Sequence, residues 1–249
     1  MQLTGKVGLI TGGTKGIGAA TALALAREGA DVAITGRRDD ADARQTTRVI
    51  EALGRRCELI LGDIAKPSEC ARAVGETVQR LGALDVLVHS AGGPVPGGLL
   101  EITPEVWNAA FDVHVHAIYH LSRAAVPHMR KRKEGAIVLI SSTAGKLAIV
   151  GNLAYQAVKG AIPQLTRALS RELANDNIRV NCVAPGVVMT KFHEKMTPEQ
   201  RKLNLEHRIP LHRDGTPDQV AEVILMLVKN EYMTGDTVTI DGGLTARIA

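Results

Sequence analysis

Tyr155 and Lys159 stand four residues apart in a stretch of helical periodicity. That spacing places both side chains on one helix face, one turn apart. An ammonium beside a phenol favours the phenolate and lowers the phenol's pKa. A free phenol titrates near pH ~10, so such a neighbour would turn it into a usable proton donor or acceptor. Tyr-x-x-x-Lys also arises by chance in many helices, where the tyrosine is simply packed. Ser142 adds to the pattern. It closes the run Ile140-Ser141-Ser142, and a hydroxyl at a strand end can polarise a carbonyl oxygen or merely cap the chain.

A second group of residues suits a phosphate. The first apolar run ends in Thr11-Gly12-Gly13-Thr14-Lys15-Gly16-Ile17-Gly18, and a helical pattern follows at once. Gly12, Gly16 and Gly18 give the spacing G-x-x-x-G-x-G. Glycine permits the tight turn and a close backbone approach. The helix N-terminus then presents free N–H groups and a positive dipole end to a pyrophosphate. This is a variant of the dinucleotide fingerprint, between a strand and a helix where it belongs. The second strand ends Ile34-Thr35-Gly36-Arg37-Arg38, with Gly36 where an acidic residue would bind a free ribose. Lys15, Arg37 and Arg38 together suit a 2′-phosphate, so the pattern favours NADP(H) over NAD(H). Asp39 and Asp40 lie slightly too late for the acidic role.

These residues need a scaffold, and the patterning supplies one. Short β-branched apolar runs fall at Val7–Thr11, Asp31–Thr35, Cys57–Leu61, Leu84–His89, Ala136–Ser141, Ile178–Val183 and Thr237–Ile240. Helical patterns fall between them, near 16–28, 40–53, 67–81, 103–130, 153–175 and 217–229. Such alternation predicts βαβ units and a parallel sheet with helices on both faces. No linker or repeat interrupts it, so 1–249 reads as a single domain. Residues 189–212 break the rhythm. They are polar, lack strand character, and read as a lid or binding loop. His193, His207 and His212 within them read as surface residues.

Composition narrows the function classes. Aromatics make up only 2% of the 249 residues, which disfavours single-strand nucleic-acid binding through stacked rings. The net charge of +4 is too mild to define a polyanionic partner. No stretch approaches the roughly 20 apolar residues of a membrane span, and no secretory leader pattern opens the chain. Cys57, Cys70 and Cys182 show no ligand or disulfide spacing and read as reduced thiols of a cytoplasmic protein.

Further motifs follow in order: Asp63 after the third strand, Ala91-Gly92 after the fourth, Asn181-Cys-Val-Ala-Pro185-Gly186 after the sixth, then Thr190. The chain closes on Tyr232-Met-Thr-Gly235-Asp and Ile240-Asp-Gly-Gly243. Nearly end to end, the chain resembles the short-chain dehydrogenase/reductase family in its short single-domain branch. The resemblance implies a doubly wound Rossmann-like α/β fold with a seven-stranded parallel sheet. It implies hydride transfer between NADP(H) and a carbonyl or alcohol. Tyr155 would exchange a proton with the substrate oxygen, Lys159 would bind the nicotinamide ribose and depress the phenol's pKa, and Ser142 would orient the carbonyl. The turn residues Gly12, Thr14, Lys15, Gly16, Ile17 and Gly18 would hold the cofactor's phosphates. Asp63 and Ile64 would lie against the adenine, and Ser90, Ala91 and Gly92 along the ribose. Pro185, Gly186, Val188 and Thr190 would hold the nicotinamide carboxamide. The family commonly forms homotetramers, so one is expected here.

Two positions depart from the family pattern. Ser90 stands where asparagine is usual, and serine can still hydrogen-bond the backbone. His114 stands where the family has an asparagine that holds a water behind the lysine. A histidine can also hold water and can titrate near neutral pH, so the relay persists in altered form or is broken. The second outcome leaves a nucleotide-binding scaffold or sensor as the alternative reading. Within the enzymes, a 3-oxoacyl-thioester reductase and a sugar or polyol dehydrogenase both remain open. The pocket is expected near Gly93–Val95, Thr143–Ala144, Val150 and Val187, with Phe192 closing it. These small or apolar residues favour a small or slim substrate. His116 and His120 share a helix face, but His114 points away from it, so no metal site is expected. Arg130-Lys131-Arg132-Lys133 reads as a basic run at a helix C-terminus, with docking of an anionic carrier as the alternative.

Overall fold

The computed structural model describes residues 1–194 and 196–246; the side chain of His193 lies outside what it describes. Seven parallel strands form one sheet in the order β3-β2-β1-β4-β5-β6-β7. They are β1 Val7–Thr11, β2 Asp31–Gly36, β3 Cys57–Leu61, β4 Val86–His89, β5 Gly135–Ile140, β6 Ile178–Pro185 and β7 Thr237–Ile240. The helices are α1 Gly16–Arg27, α2 Ala41–Ala52, α3 Pro67–Leu81, α4 Pro104–Phe111, α5 Ala117–Arg132, α6 Leu153–Leu173, α7 Pro198–Leu203 and α8 Pro217–Lys229. The order reverses between β1 and β4, and such a switch point is where open α/β sheets bind ligands.

The apolar runs of the central strands follow from burial on both faces. Leu9, Leu87, Ile137 and Leu139 pack with α3, α5 and α6 through Val74, Leu121, Met129 and Ile162. Their neighbours Ile10, Val32, Val86, Val88 and Val138 point the other way, onto Leu25, Ile50, Ile224 and Leu227 of α1, α2 and α8. A smaller cluster lies beside the N-terminal end of α6: Ala154 and Val158 with Ala110, backed by Val95, Ile102, Trp107 and Phe111.

Three expectations change. β4 starts at Val86, because fully buried Asp85 is spent on bonds at the sheet's lower edge. It accepts from the Val7 N–H at 2.9 Å and from Arg132 at 2.6 Å. The single helix expected over 103–130 is two, α4 and α5, joined by a π-helical turn over Asp112–His116. The polar segment 189–212 is not plain loop. It carries a short 3₁₀ turn Lys191–His193, the helix α7 and a second π-helical turn Asn204–Arg208. His207 and His212 are exposed, and Nδ1 of His212 bonds the Leu205 carbonyl at 2.7 Å. In the basic run, Arg130 pairs with Asp176 and Arg132 with Asp85, so half of its charge is engaged within the fold. Among the described residues no helix is long and apolar enough to cross a membrane.

Candidate active site

The glycine turn sits where β1 gives way to α1. Gly12 has φ +65°, and a Cβ there would come within 2.8 Å of the Ala91 Cα. The turns after β1 and β4 therefore meet at the switch point, and only glycine allows that approach. No side chain caps α1, so its first amide groups stay available to a ligand phosphate. This donor set fits a dinucleotide's pyrophosphate. Lys15, Arg37 and Arg38 are all exposed at this end, and none forms an ion pair among the described residues. The two nearby carboxylates are committed elsewhere. Asp39 pairs with Arg44 at 3.0 Å, and Asp40 caps α2 by accepting from the Ala43 N–H at 3.0 Å. Asp63 turns back to accept from the Ala65 N–H, and Ile64 is buried beside it.

The next contacts rest on a residue that the sequence reading missed. His89 ends β4, buried. Its Nε2 faces the Val113 carbonyl at 3.0 Å, so Nε2 carries the proton. Nδ1 then accepts from the Thr11 hydroxyl at 2.8 Å, and Thr11 Oγ1 accepts from the Ala91 N–H. This chain ties β1, the β4 turn and the π-helical turn together. A polar residue inside an otherwise apolar strand was the available signal. Ser90, at the same turn, bonds the Thr11 carbonyl through its backbone N–H at 3.2 Å.

His114 projects from the π-helical turn into the site. It is 2% exposed, and Nε2 donates to the Gly93 carbonyl at 3.1 Å. Its ring lies edge-on to Tyr155, centroids 5.9 Å apart. Burial pushes its pKa down to about 2, with Lys159 and His89 adding to the effect. The expectation of titration near neutral pH is therefore corrected: this imidazole stays neutral. Gly92, at φ +144°, lies directly against the ring, and a Cβ there would collide with His114 Cε1.

Ser142, Tyr155 and Lys159 converge at the carboxyl edge of β5. Ser142 accepts from the Ala144 N–H at 3.1 Å, and its side chain is close enough to the Tyr155 hydroxyl to favour the phenolate. The Lys159 ammonium lies 5.6 Å from the Tyr155 ring centroid and donates to the Ile140 carbonyl at 2.7 Å. Burial pushes Lys159 down to about 8 and the phenol up to about 12, the latter opposed by the Ser142 side chain. The lowered phenol pKa expected from the lysine is not found here, because burial is the dominant cause and raises it. At neutral pH the phenol is protonated, the form that donates a proton to a carbonyl oxygen.

The loops leading into α6 carry apolar side chains. Gly97 bonds Gly151 and Leu153 through their backbones, which sets the loop carrying Leu99 and Leu100 against the loop carrying Leu147, Ile149 and Val150. All five of those side chains are exposed. Phe192 packs against Tyr155 at a tilt of 50°, with ring centroids 5.7 Å apart. Lys191 beside it pairs with Asp42 at 2.5 Å, which fastens the 3₁₀ turn to α2. Pro185 and Val188 are buried, Gly186 and Thr190 half-buried at the end of β6, and the Thr190 methyl lies near Gly16. His116 bonds Asp112 at 2.9 Å. Among the described residues no three His, Cys, Asp or Glu side chains gather as metal ligands.

A family model described as enoyl-(acyl carrier protein) reductase matches residues 12–245. The chain is 38% identical to a 3-oxoacyl-(acyl-carrier-protein) reductase of Thermotoga maritima, covering 98% of this chain and 99% of that one. The chain belongs to the short-chain dehydrogenase/reductase family. Human dehydrogenase/reductase SDR family member 4 is 33% identical over 99% of this chain and 90% of its own length. Among solved structures, a short-chain dehydrogenase from Burkholderia cenocepacia in complex with NADP superposes with a TM-score of 0.91. That structure is 35% identical and covers 98% of this chain and 100% of its own. A short-chain dehydrogenase/reductase from Mycobacterium marinum superposes with a TM-score of 0.93 at 31% identity, covering 99% and 98%. The protein is therefore a short-chain dehydrogenase/reductase, a member of an oxidoreductase family with a Rossmann-like fold.

Proposed function

We propose that the protein reduces a ketone to an alcohol with NADPH, or runs the reverse, and that Tyr155 is its general acid and base. The observation that carries this reading is the meeting of Ser142, Tyr155 and Lys159 at the same carboxyl edge of the sheet as the uncapped start of α1. The bound nicotinamide supplies the hydride. Ser142 orients the carbonyl oxygen against the phenol, and Tyr155 gives that oxygen its proton. Lys159 holds positive charge next to the phenol and has N–H bonds left for a ribose hydroxyl. Ser90, Ala91 and Gly92 flank that ribose, and Pro185, Gly186, Val188 and Thr190 hold the carboxamide. Asp63 and Ile64 border the adenine. Lys15, Arg37 and Arg38 select the 2′-phosphate, a preference supported by the NADP-bound neighbour. His114 shapes the site as a neutral ring rather than as a proton carrier. Residues 189–212 form the lid, and the assembled enzyme is a homotetramer.

The wall around Tyr155 favours a ketone carrying an apolar chain, such as a 3-oxoacyl thioester, over a sugar or polyol. Few polar groups there are left for sugar hydroxyls: the Gln156 amide is engaged on Ile149 and His114 Nε2 on Gly93, and His114 Nδ1 is a single buried acceptor without a partner among the described residues. Each sugar hydroxyl left unpaired would cost about 1–3 kcal/mol. Each buried methylene gains about 0.8 kcal/mol, a roughly fourfold rise in kcat/KM along an alkyl ketone series. Following NADPH oxidation across alkyl ketones, oxoacyl thioesters and sugars tests this. Equal rates for sugars and alkyl ketones would overturn the substrate class, and tight NADPH binding without turnover of any carbonyl would overturn the reductase reading itself.

A further inference from the structure

Pro163 lies inside α6, one turn beyond Lys159. A proline has no N–H, so it cannot donate to the carbonyl four residues earlier. That carbonyl is the one on Lys159, and a buried carbonyl left unpaired is costly. It is not left unpaired. The Ser141 hydroxyl, 2% exposed, donates to it at 2.7 Å. The bond runs between two elements, from the end of β5 to the middle of α6.

The same two elements are joined a second time in the opposite direction. The Lys159 ammonium donates to the Ile140 carbonyl at 2.7 Å. Ser141 is itself fixed, because its N–H donates to the Val183 carbonyl of β6 at 2.8 Å. Gly145, in the turn that follows Ser142, lets this backbone approach closely, since a Cβ there would come within 2.7 Å of the Lys159 carbonyl. Pro127 in α5 makes the contrast. It likewise releases the carbonyl of Arg123, but Arg123 is exposed, and water can take that bond.

We propose that Pro163 and Ser141 form a positioning clamp for the catalytic lysine. The proline withholds the helix's own hydrogen bond from the Lys159 carbonyl, and the Ser141 hydroxyl takes its place. The catalytic face of α6 is thereby tied to the strand that carries Ser142. This inference rests on the proposed roles of Tyr155 and Lys159 and adds two residues that touch neither substrate nor cofactor.

A substitution cycle tests it. Ser141→Ala leaves the Lys159 carbonyl without a donor. Pro163→Ala restores an N–H within the helix that can reach the same oxygen. We expect Ser141→Ala alone to lower kcat by about tenfold, and to move the alkaline limb of the alcohol-oxidation profile by about one pH unit with little change in cofactor KM. In the Pro163→Ala background the same Ser141→Ala change should cost less than about twofold, and the limb should return. Ser141→Thr, which keeps a hydroxyl, should hold the limb near its original place, and covers the case in which Ser141→Ala does not fold. A second readout needs no turnover: the Lys159 ammonium can be titrated by NMR in lysine-labelled protein. Its midpoint should move in Ser141→Ala and return in the double variant. Unchanged titration and pH limb in Ser141→Ala, or no recovery with Pro163→Ala, would overturn the clamp. A lysine that follows the cycle in an enzyme inert toward every carbonyl would instead overturn the proposed activity and leave the clamp standing.

Discussion

Lys159 is a charged group held at 6% exposure, and its removal should stabilise the protein near neutral pH. Burial lowers its pKa from 10.5 to about 8. At about 1.4 kcal/mol per pH unit, keeping the ammonium charged in the fold costs about 3 kcal/mol. The sign follows from proton binding. Between pH 8 and 10.5 the unfolded chain holds a proton that the folded chain has released, so this group makes stability rise with pH across that window. Below pH 8 both states are protonated and the full cost remains. Lys159→Met removes that cost but leaves the Ile140 carbonyl without its donor, which costs about 1–2 kcal/mol. The net expectation is a gain of about 1–2 kcal/mol at pH 7. Urea denaturation of both proteins at pH 7 and pH 9.5 checks it. The wild type should gain about 2 kcal/mol relative to the variant between those two pH values, and using the difference cancels titrations common to both. A variant less stable than wild type at pH 7, with an unchanged pH dependence, would refute this reasoning.

Three further outcomes follow from the geometry. Gly92→Ala should destabilise the protein by about 2–4 kcal/mol and abolish turnover, while the same change should cost far less with His114→Ala, because the colliding ring is gone; thermal melts of the four proteins read that coupling. His114→Asn should leave no missing limb in the kcat profile between pH 5 and 9, because the imidazole, with its pKa pushed down to about 2, is already neutral there; loss of a limb near pH 6 would restore it as a proton carrier. Arg37→Asp should weaken NADPH binding by about ten- to a hundredfold and move preference toward NADH, as measured by titration with each cofactor, and an unaltered ratio would remove Arg37 from phosphate recognition.

The sheet was legible because strands buried on both faces leave a continuous apolar signal, and because the Thr11–Gly18 turn and the Tyr155–Lys159 spacing are local. The parts that escaped depend on distant partners. Nothing within 103–130 marks the π-helical turn at Asp112–His116; one of its carbonyls, on Val113, is held by His89 from another strand. Asp85 reads as part of an apolar run until Arg132 reaches it from α5. The short helices of 189–212 carry their own signal in Thr197 and Gln200, which form a capping box around Pro198, but the segment's polarity masked it. The charge states at the site escaped for a related reason. Burial decides the pKa values of Tyr155, Lys159 and His114, and spacing alone carries no measure of burial.

The central claim is that the phenol of Tyr155 moves the proton, and Tyr155→Phe tests it with the least ambiguity. The variant keeps the ring against Phe192 and His114 and removes only the hydroxyl that meets Ser142. Single-turnover reduction of an alkyl ketone, measured alongside the NADPH dissociation constant, should show the rate falling by at least about a hundredfold while the dissociation constant stays within about twofold. A rate retained within a few-fold of wild type would contradict the account.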